Sequence, residues 1–301
     1  MASIGGIIGG GARVIRRRPI STLVWGGIYF LGLIGIWLFI RWIDMPLIEL
    51  SSTGQLQMPL PTRIVVELLT MVLMTIVFNA IYRALLRPYE RDAAGLRVGP
   101  DELRVMGLRI VVSVVMFVAW IIIALIAVMV GSFLGFVTGG ERRLLDPLML
   151  GLVAIVAAFA IWLFVRLSPI FPLTLYRRKL TVDGAWELTR GRFWKLFIAY
   201  LITGIFCIAL MIAVIWPYFG AFFVELLHSG NDPMKIAMAQ YNLQQHVHGM
   251  PTIAHVGFCV AIFLASAVTV VLGAALPASA TRELLLDAGE DPDDEPEEEL
   301  Y

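Results

Sequence analysis

Charge is scarce in this chain, and so are the side chains that do chemistry. Charged residues make up 15% of its 301 positions, against about 25% in an ordinary soluble domain. There are two cysteines and four histidines. Cys207 and Cys259 both fall inside apolar runs, so a disulfide framework is excluded and both read as small buried residues. Nothing resembles a nucleotide-binding loop, a Ser/His/Asp set or a haem site, so no cofactor and no nucleic-acid partner is expected. The histidines all lie between His228 and His255. His246 and His248 are two apart and do not share a helix face, and no Cys or His-Glu-x-x-His pattern accompanies them. They read as solvated loop residues, not as a metal site.

What is present in excess is apolar sequence, 59% of the chain. It is gathered into six runs, Ile20–Ile40, Ile64–Leu86, Ile110–Phe136, Leu148–Val165, Leu196–Leu227 and Ile253–Leu276. Each reaches the roughly 17–25 residues a membrane-crossing helix requires, and the third and fifth exceed it. The expected fold is therefore all-α: a six-helix transmembrane bundle over residues 20–282. A Gly-rich arm (1–19) precedes it and an acidic, disordered tail (283–301) follows. Pro217 is expected to kink the fifth run. Arg41-Trp42-Ile43-Asp44 follows the first run where a small-residue cleavage site would stand, so that run reads as a retained anchor.

Basic residues sort by loop. Eighteen of 23 fall in the N-terminal arm, in the loops after the second and fourth runs, or after the sixth. The positive-inside rule then predicts both termini in the cytoplasm. The zero net charge hides this, because nine of the thirteen residues from Asp287 to Glu299 are acidic. Without them the chain carries +9, a charge that attracts anionic headgroups at about 1 kcal/mol per basic residue near the surface.

Outside the runs, the arm carries Gly5, Gly6, Gly9, Gly10 and Gly11, which make a stable free helix improbable. The first outer loop, 44–62, offers turn chemistry and no catalytic grouping. The short 138–146 loop makes the third and fourth runs antiparallel neighbours. Asn231-Asp232-Pro233 predicts a helix start with Asp232 as cap, and Gly249 its stop, with Met234, Met238 and Tyr241 along one side. That helix is expected to lie on the outer membrane surface.

The two long basic connections share an order. The first reads Arg83-Ala84-Leu85-Leu86-Arg87-Pro88, then Leu96-Arg97-Val98-Gly99-Pro100-Asp101-Glu102-Leu103, then Gly107-Leu108-Arg109. The second reads Arg166-Leu167-Ser168-Pro169, then Leu180-Thr181-Val182-Asp183-Gly184-Ala185-Trp186-Glu187-Leu188, then Gly191-Arg192. Pro stops each preceding span. Asp101 and Asp183 are expected to cap short interfacial elbow helices that bend into the next span. Two readings follow: convergence at a headgroup surface, or internal duplication of a span–elbow–span unit, as in many transport folds.

These connections, with Leu188-Thr189-Arg190-Gly191-Arg192-Phe193-Trp194-Lys195, resemble the membrane domain found beside glycerophosphoryl diester phosphodiesterases and its stand-alone bacterial inner-membrane relatives. The resemblance covers about residues 60–280. It implies a six-helix membrane module in the bacterial inner membrane. The phosphodiesterase catalytic domain is absent, and no His in the chain precedes an Arg. The resemblance therefore does not imply a phosphodiesterase, and the chain reads as non-enzymatic.

Arg83, Arg87, Arg104, Arg190 and Arg192 are the candidates for contact with phospholipid headgroups through forked phosphate hydrogen bonds. Gly257, Ala261, Ala265, Thr269 and Gly273 recur every four residues and predict a face for close helix packing, within the chain or against a second copy. Arg63 and Glu67 form a local i,i+4 pair, and Asn79 reads as helix glue. The tryptophans Trp25, Trp37, Trp42, Trp162, Trp186, Trp194 and Trp216 need only the interfacial explanation. The function expected is lipid handling, envelope organisation or scaffolding with anionic lipids as partners. The competing reading is a transporter or lipid-translocating protein.

Overall fold

The structure is a computed structural model that describes residues 3–44, 60–87, 96, 99–137, 142–230 and 232–290. Among them the chain is all-helical: α1 (Ile4–Arg17), α2 (Pro19–Asp44), α3 (Leu60–Leu86), α4 (Pro100–Val137), α5 (Arg142–Leu167), α6 (Ile170–Arg177), α7 (Val182–Leu188), α8 (Phe193–Ser229), α9 (Pro233–Gly249) and α10 (Thr252–Ala288). Helices α2, α3, α4, α5, α8 and α10 are each long and apolar enough to cross a membrane. The chain is thus built as a multi-pass membrane protein. Helix is forced on such segments because lipid offers no partner to a backbone N–H or C=O, and the helix satisfies both internally. Most of the first outer loop, parts of the first basic connection, the start of the 138–146 loop and the tail beyond 290 lie outside the described residues.

The spans match the apolar runs at their cores and overrun them at their ends. At 1.5 Å per residue the 38-residue α4 and 37-residue α8 are about 55 Å long, well beyond a hydrocarbon core of about 30 Å. Pro217 removes one donor from α8, but the helix continues past it to Ser229. Pro277 sits likewise inside α10, which runs twelve residues past the apolar run ending at Leu276. Residues 283–288, expected in the tail, are therefore helical.

The chain forms two compact units, which divide α1, α3, α8 and α10 between them. One comprises Met1–Ile7, Tyr82–Tyr200 and Pro277–Tyr301; the other comprises Ile8–Ile81 and Leu201–Leu276. In the second unit α10 packs by small residues. A Cβ at Gly26 of α2 would collide with the Ala267 side chain, and one at Gly11 of α1 would sit 2.9 Å from Leu272. The edge-on pair Phe30–Phe263 (5.7 Å) and the Tyr218–Phe258 contact (4.8 Å) bring in more of α2 and α8. The row used is Ala267, Val271 and Ala274, all fully or nearly fully buried. This row differs from the expected one. Ala265 is buried, and a Cβ at Gly257 would stand 3.5 Å from the Tyr218 hydroxyl of α8, but Gly273 is exposed and a Cβ there would meet nothing within 4 Å.

The glycine-rich arm is helical, contrary to expectation, because α1 is not a free helix. Ile7 and Val14 are buried at 1% and 5% exposure. Gly6 lies against the Glu283 carboxylate in the first unit, where the Ser3 N–H also donates to Glu283 Oε2 at 3.2 Å. Glycines that weaken an isolated helix here permit close backbone approach, and packing outweighs propensity.

Helix α9 agrees with its sequence signals. Asp232 caps it by accepting from the Met234 N–H at 3.0 Å, Pro233 opens it and Gly249 is its last residue. Asn242 Nδ2 donates to Glu225 Oε2 at 3.2 Å, tying α9 to the end of α8.

Candidate functional site

The first basic connection folds around two carboxylates. Arg83 stands in the last turn of α3, and Arg87 follows one turn later on the same side. Pro100 is the first residue of α4, with Asp101 and Glu102 in its first turn, where the helix dipole favours negative charge. The cap is not Asp101, as expected, but Gly99: its N–H donates to Glu102 Oε2 at 2.7 Å, the return half of a capping box. Asp183 is likewise displaced as a cap, with Thr181 preceding α7 and Asp183 inside its first turn. The two connections also differ in form. The second has a separate elbow helix, α7, whereas α4 runs unbroken from Pro100 into its span.

Glu102 Oε1 pairs with Arg83 Nη2, both side chains about 95% buried. Asp101 sits among three guanidinium groups. Arg104 Nη1 donates to its Oδ1 at 2.8 Å, while Arg87 Nη1 and Arg178 Nε lie 3.9 and 3.7 Å from Oδ2. Arg87 Nη2 also donates to the carbonyls of Leu175 and Tyr176 at 2.6 and 3.0 Å. Those carbonyls are among the last of α6, whose intrahelical partners are missing, so a cation there both caps the helix and complements its dipole. Arg178, the C-cap just past α6, is left-handed (φ 52°), and Arg104 donates to its carbonyl at 3.1 Å.

Among the described residues, four arginines thus gather around two acids. Arg83 and Arg87 are turned inward, and their guanidinium groups are committed to protein partners. Arg104 and Arg178 are about half exposed. In the same unit Leu108, Ile170, Leu173, Ala185 and Leu285 form one apolar cluster that joins α4, α6, α7 and α10.

The second connection uses carboxylates from the end of α10. Arg192 Nη2 lies 2.6 Å from Asp287 Oδ2, and Arg177 Nη2 lies 2.7 Å from Glu290 Oε1. The start of the acidic stretch is therefore bonded to the elbow. Gly191, at φ 75°, makes the reversal between α7 and α8. Arg190 beside it is exposed and has no carboxylate partner among the described residues. Of the five candidate arginines, then, Arg83, Arg87 and Arg104 converge on one network, while Arg190 and Arg192 stand on a separate turn.

Sequence reasoning missed an aromatic clamp here. The Arg166 guanidinium carbon lies 3.8 Å from the centre of the Trp186 ring and 5.4 Å from that of Trp162, and the two rings meet edge to face at 5.7 Å. Such contacts contribute about 0.5–2 kcal/mol each, and they hold α7 to α5. The i,i+4 spacing of Trp162 and Arg166 was a usable signal; the Trp186 partner was not. Trp25, expected at an interface, is fully buried.

Away from the elbows, Arg63 Nε donates to exposed Glu67 at 3.2 Å, as the spacing predicted. Three histidine rings turn back on their own helices: His228 Nδ1 lies 2.8 Å from the Val224 carbonyl, His248 Nδ1 2.7 Å from Gln244, and His255 Nδ1 3.4 Å from Pro251. No three His, Cys, Asp or Glu side chains converge among the described residues in a way that would hold a metal ion.

Comparison with known proteins adds no relative: no family model, no curated protein and no solved structure matches the chain.

Proposed function

We propose that this is a non-enzymatic bacterial inner-membrane protein, with both termini cytoplasmic, whose elbow face engages anionic phospholipid headgroups in lipid handling, envelope organisation or scaffolding. The observation that carries the reading is the outward guanidinium groups of the two elbows: Arg104 is half exposed beside Asp101, and Arg190 is exposed in the turn before α8. Forked guanidinium groups suit phosphate oxygens. In this reading Arg83 and Arg87 hold the elbow's shape, Arg192 anchors it to α10, and Arg104 and Arg190 make the headgroup contacts. The motif order in both connections supports kinship with the membrane domain of the glycerophosphoryl diester phosphodiesterase family.

The test is lipid retention. The protein is reconstituted in nanodiscs of phosphatidylcholine with a minority of phosphatidylglycerol, and bound lipid is counted by native mass spectrometry. Arg104→Gln with Arg190→Gln is expected to lower retained phosphatidylglycerol, while Arg63→Gln leaves it unchanged. Equal retention by all three proteins would sink the reading.

One observation favours the translocating alternative. Asn79 of α3 is 1% exposed, and neither atom of its amide has a hydrogen-bond partner among the described residues. It is therefore not the interhelical glue expected. An unpartnered buried amide costs about 1–3 kcal/mol, a cost retained in a span when the group serves a polar path. If Asn79 has no such task, Asn79→Leu raises the thermal midpoint in detergent and leaves lipid flip in vesicles unchanged. A raised midpoint with lost dye-lipid flip is the outcome expected of a translocator.

A further inference from the structure

We propose that α1 carries a binding groove for a phosphate-bearing anion, formed by Arg13, Arg16 and Arg17 and separate from the elbows. The inward side of α1 is fixed by Ile7, Gly11 and Val14. Its outward side carries two adjacent i,i+4 rows, Gly9–Arg13–Arg17 and Ala12–Arg16. These five residues line a shallow, open groove along this one side of α1. Its floor is bare, since a Cβ at Gly9 would meet nothing within 4 Å.

The charge pattern points to an anion. All three arginines are exposed, and none has a carboxylate partner among the described residues. Arg104, Arg177 and Arg192 by contrast each pair with an acid of their own unit. Like charges three and four residues apart on a helix repel one another. The dipole at the end of α1 favours Arg16 and Arg17 in the last turn, but its effect fades within that turn and Arg13 stands before it. Forked guanidinium groups at three and four residues' spacing on one helix side suit the several oxygens of a phosphate. One residue separates α1 from α2, the first membrane-crossing helix. The groove therefore lies next to a span end, the depth at which lipid phosphates sit. The ligand is either a lipid headgroup or a soluble phosphate, and both use the same chemistry. The lipid form rests on the headgroup reading above but uses none of its residues.

The test uses the full chain in nanodiscs. In one arm, phosphatidylglycerol bound in a phosphatidylcholine background is counted by native mass spectrometry. In the other, inorganic pyrophosphate is titrated onto protein in phosphatidylcholine alone and followed by phosphorus NMR. Arg13→Gln with Arg16→Gln and Arg17→Gln is expected to bind at least about tenfold more weakly in one of the arms, from loss of charge-assisted hydrogen bonds. A drop confined to the lipid arm names the headgroup as ligand, and a drop confined to the pyrophosphate arm names a soluble phosphate. Arg104→Gln with Arg190→Gln is expected to keep this component, so loss in the elbow variant alone would support the elbow reading and refute the α1 groove. If the triple variant melts earlier than the wild type, Arg13→Gln alone carries the comparison. Unchanged binding in both arms overturns the proposal.

Discussion

Glu102→Ala is expected to cause the largest loss of stability of any single change in the first unit, about 3–5 kcal/mol from breaking a buried ion pair. The substitution removes the carboxylate facing Arg83, whose side chain is only 4% exposed. It also removes the acceptor for the Gly99 N–H at the start of α4, a capping contact whose loss costs roughly 1 kcal/mol more. The asymmetry between breaking and replacing such a pair makes the prediction specific. Arg83→Met with Glu102→Leu removes both charges and leaves apolar groups of similar length, so it is expected to recover most of the loss. Glu67→Ala serves as the comparison, because the Arg63–Glu67 pair is about two-thirds exposed on both sides and surface pairs contribute little. Thermal unfolding in detergent, followed by tryptophan fluorescence, reads all three. A Glu102→Ala midpoint no lower than that of Glu67→Ala would show that the pair is not buried in the working protein.

The second large effect belongs to Gly26. A methyl group there would overlap the Ala267 side chain and stand 2.7 Å from the Ala267 Cα, so α2 and α10 must separate to accept it. Overpacking of this kind costs about 1–3 kcal/mol, and more where backbone has to move. Separation would also strain the Phe30–Phe263 contact between the same helices. Gly26→Ala is therefore expected to lower the thermal midpoint and the yield of monodisperse protein. Gly26→Ala with Ala267→Gly should recover part of the loss by removing the colliding methyl. Gly35→Ala, on the same helix with nothing within 4 Å of the new methyl, is expected to be neutral or slightly stabilising, since alanine is the better helix former. Equal midpoints for the Gly26 and Gly35 variants would mean that the two helices do not meet at this point.

Features that depend on a local pattern were readable from the residues. The six spans follow from run length alone, because a bilayer accepts nothing but a helix of that length. Helix α9 follows from Asp232, Pro233 and Gly249, whose roles at helix ends need no neighbour to be understood. The pair Arg63–Glu67 follows from a spacing of four.

Features that depend on what lies opposite were not. Nothing in the sequence near Arg83 and Arg87 distinguishes an arginine that faces headgroups from one that caps α6, because the decision belongs to residues as far away as Tyr176. Gly99 displaced Asp101 as the cap since Glu102 can reach back to its N–H while Asp101 is drawn to three arginines. Asp287 and Glu290 read as part of a solvated acidic run, yet they pair with Arg192 and Arg177. The glycines of α1 argued against a helix until Gly6 and Gly11 met α10.

Run length and composition alone specify an all-helical, multi-pass membrane protein and mark the stretches that form its spans. The cause is general: hydrocarbon leaves each apolar run only one way to satisfy its own backbone. Which small residues let helices touch, which arginines bond inward and which stay outward is set by packing. Those outcomes depend on partners distant in the chain, and a guanidinium group or a missing Cβ has no preferred use until packing brings its partner to it.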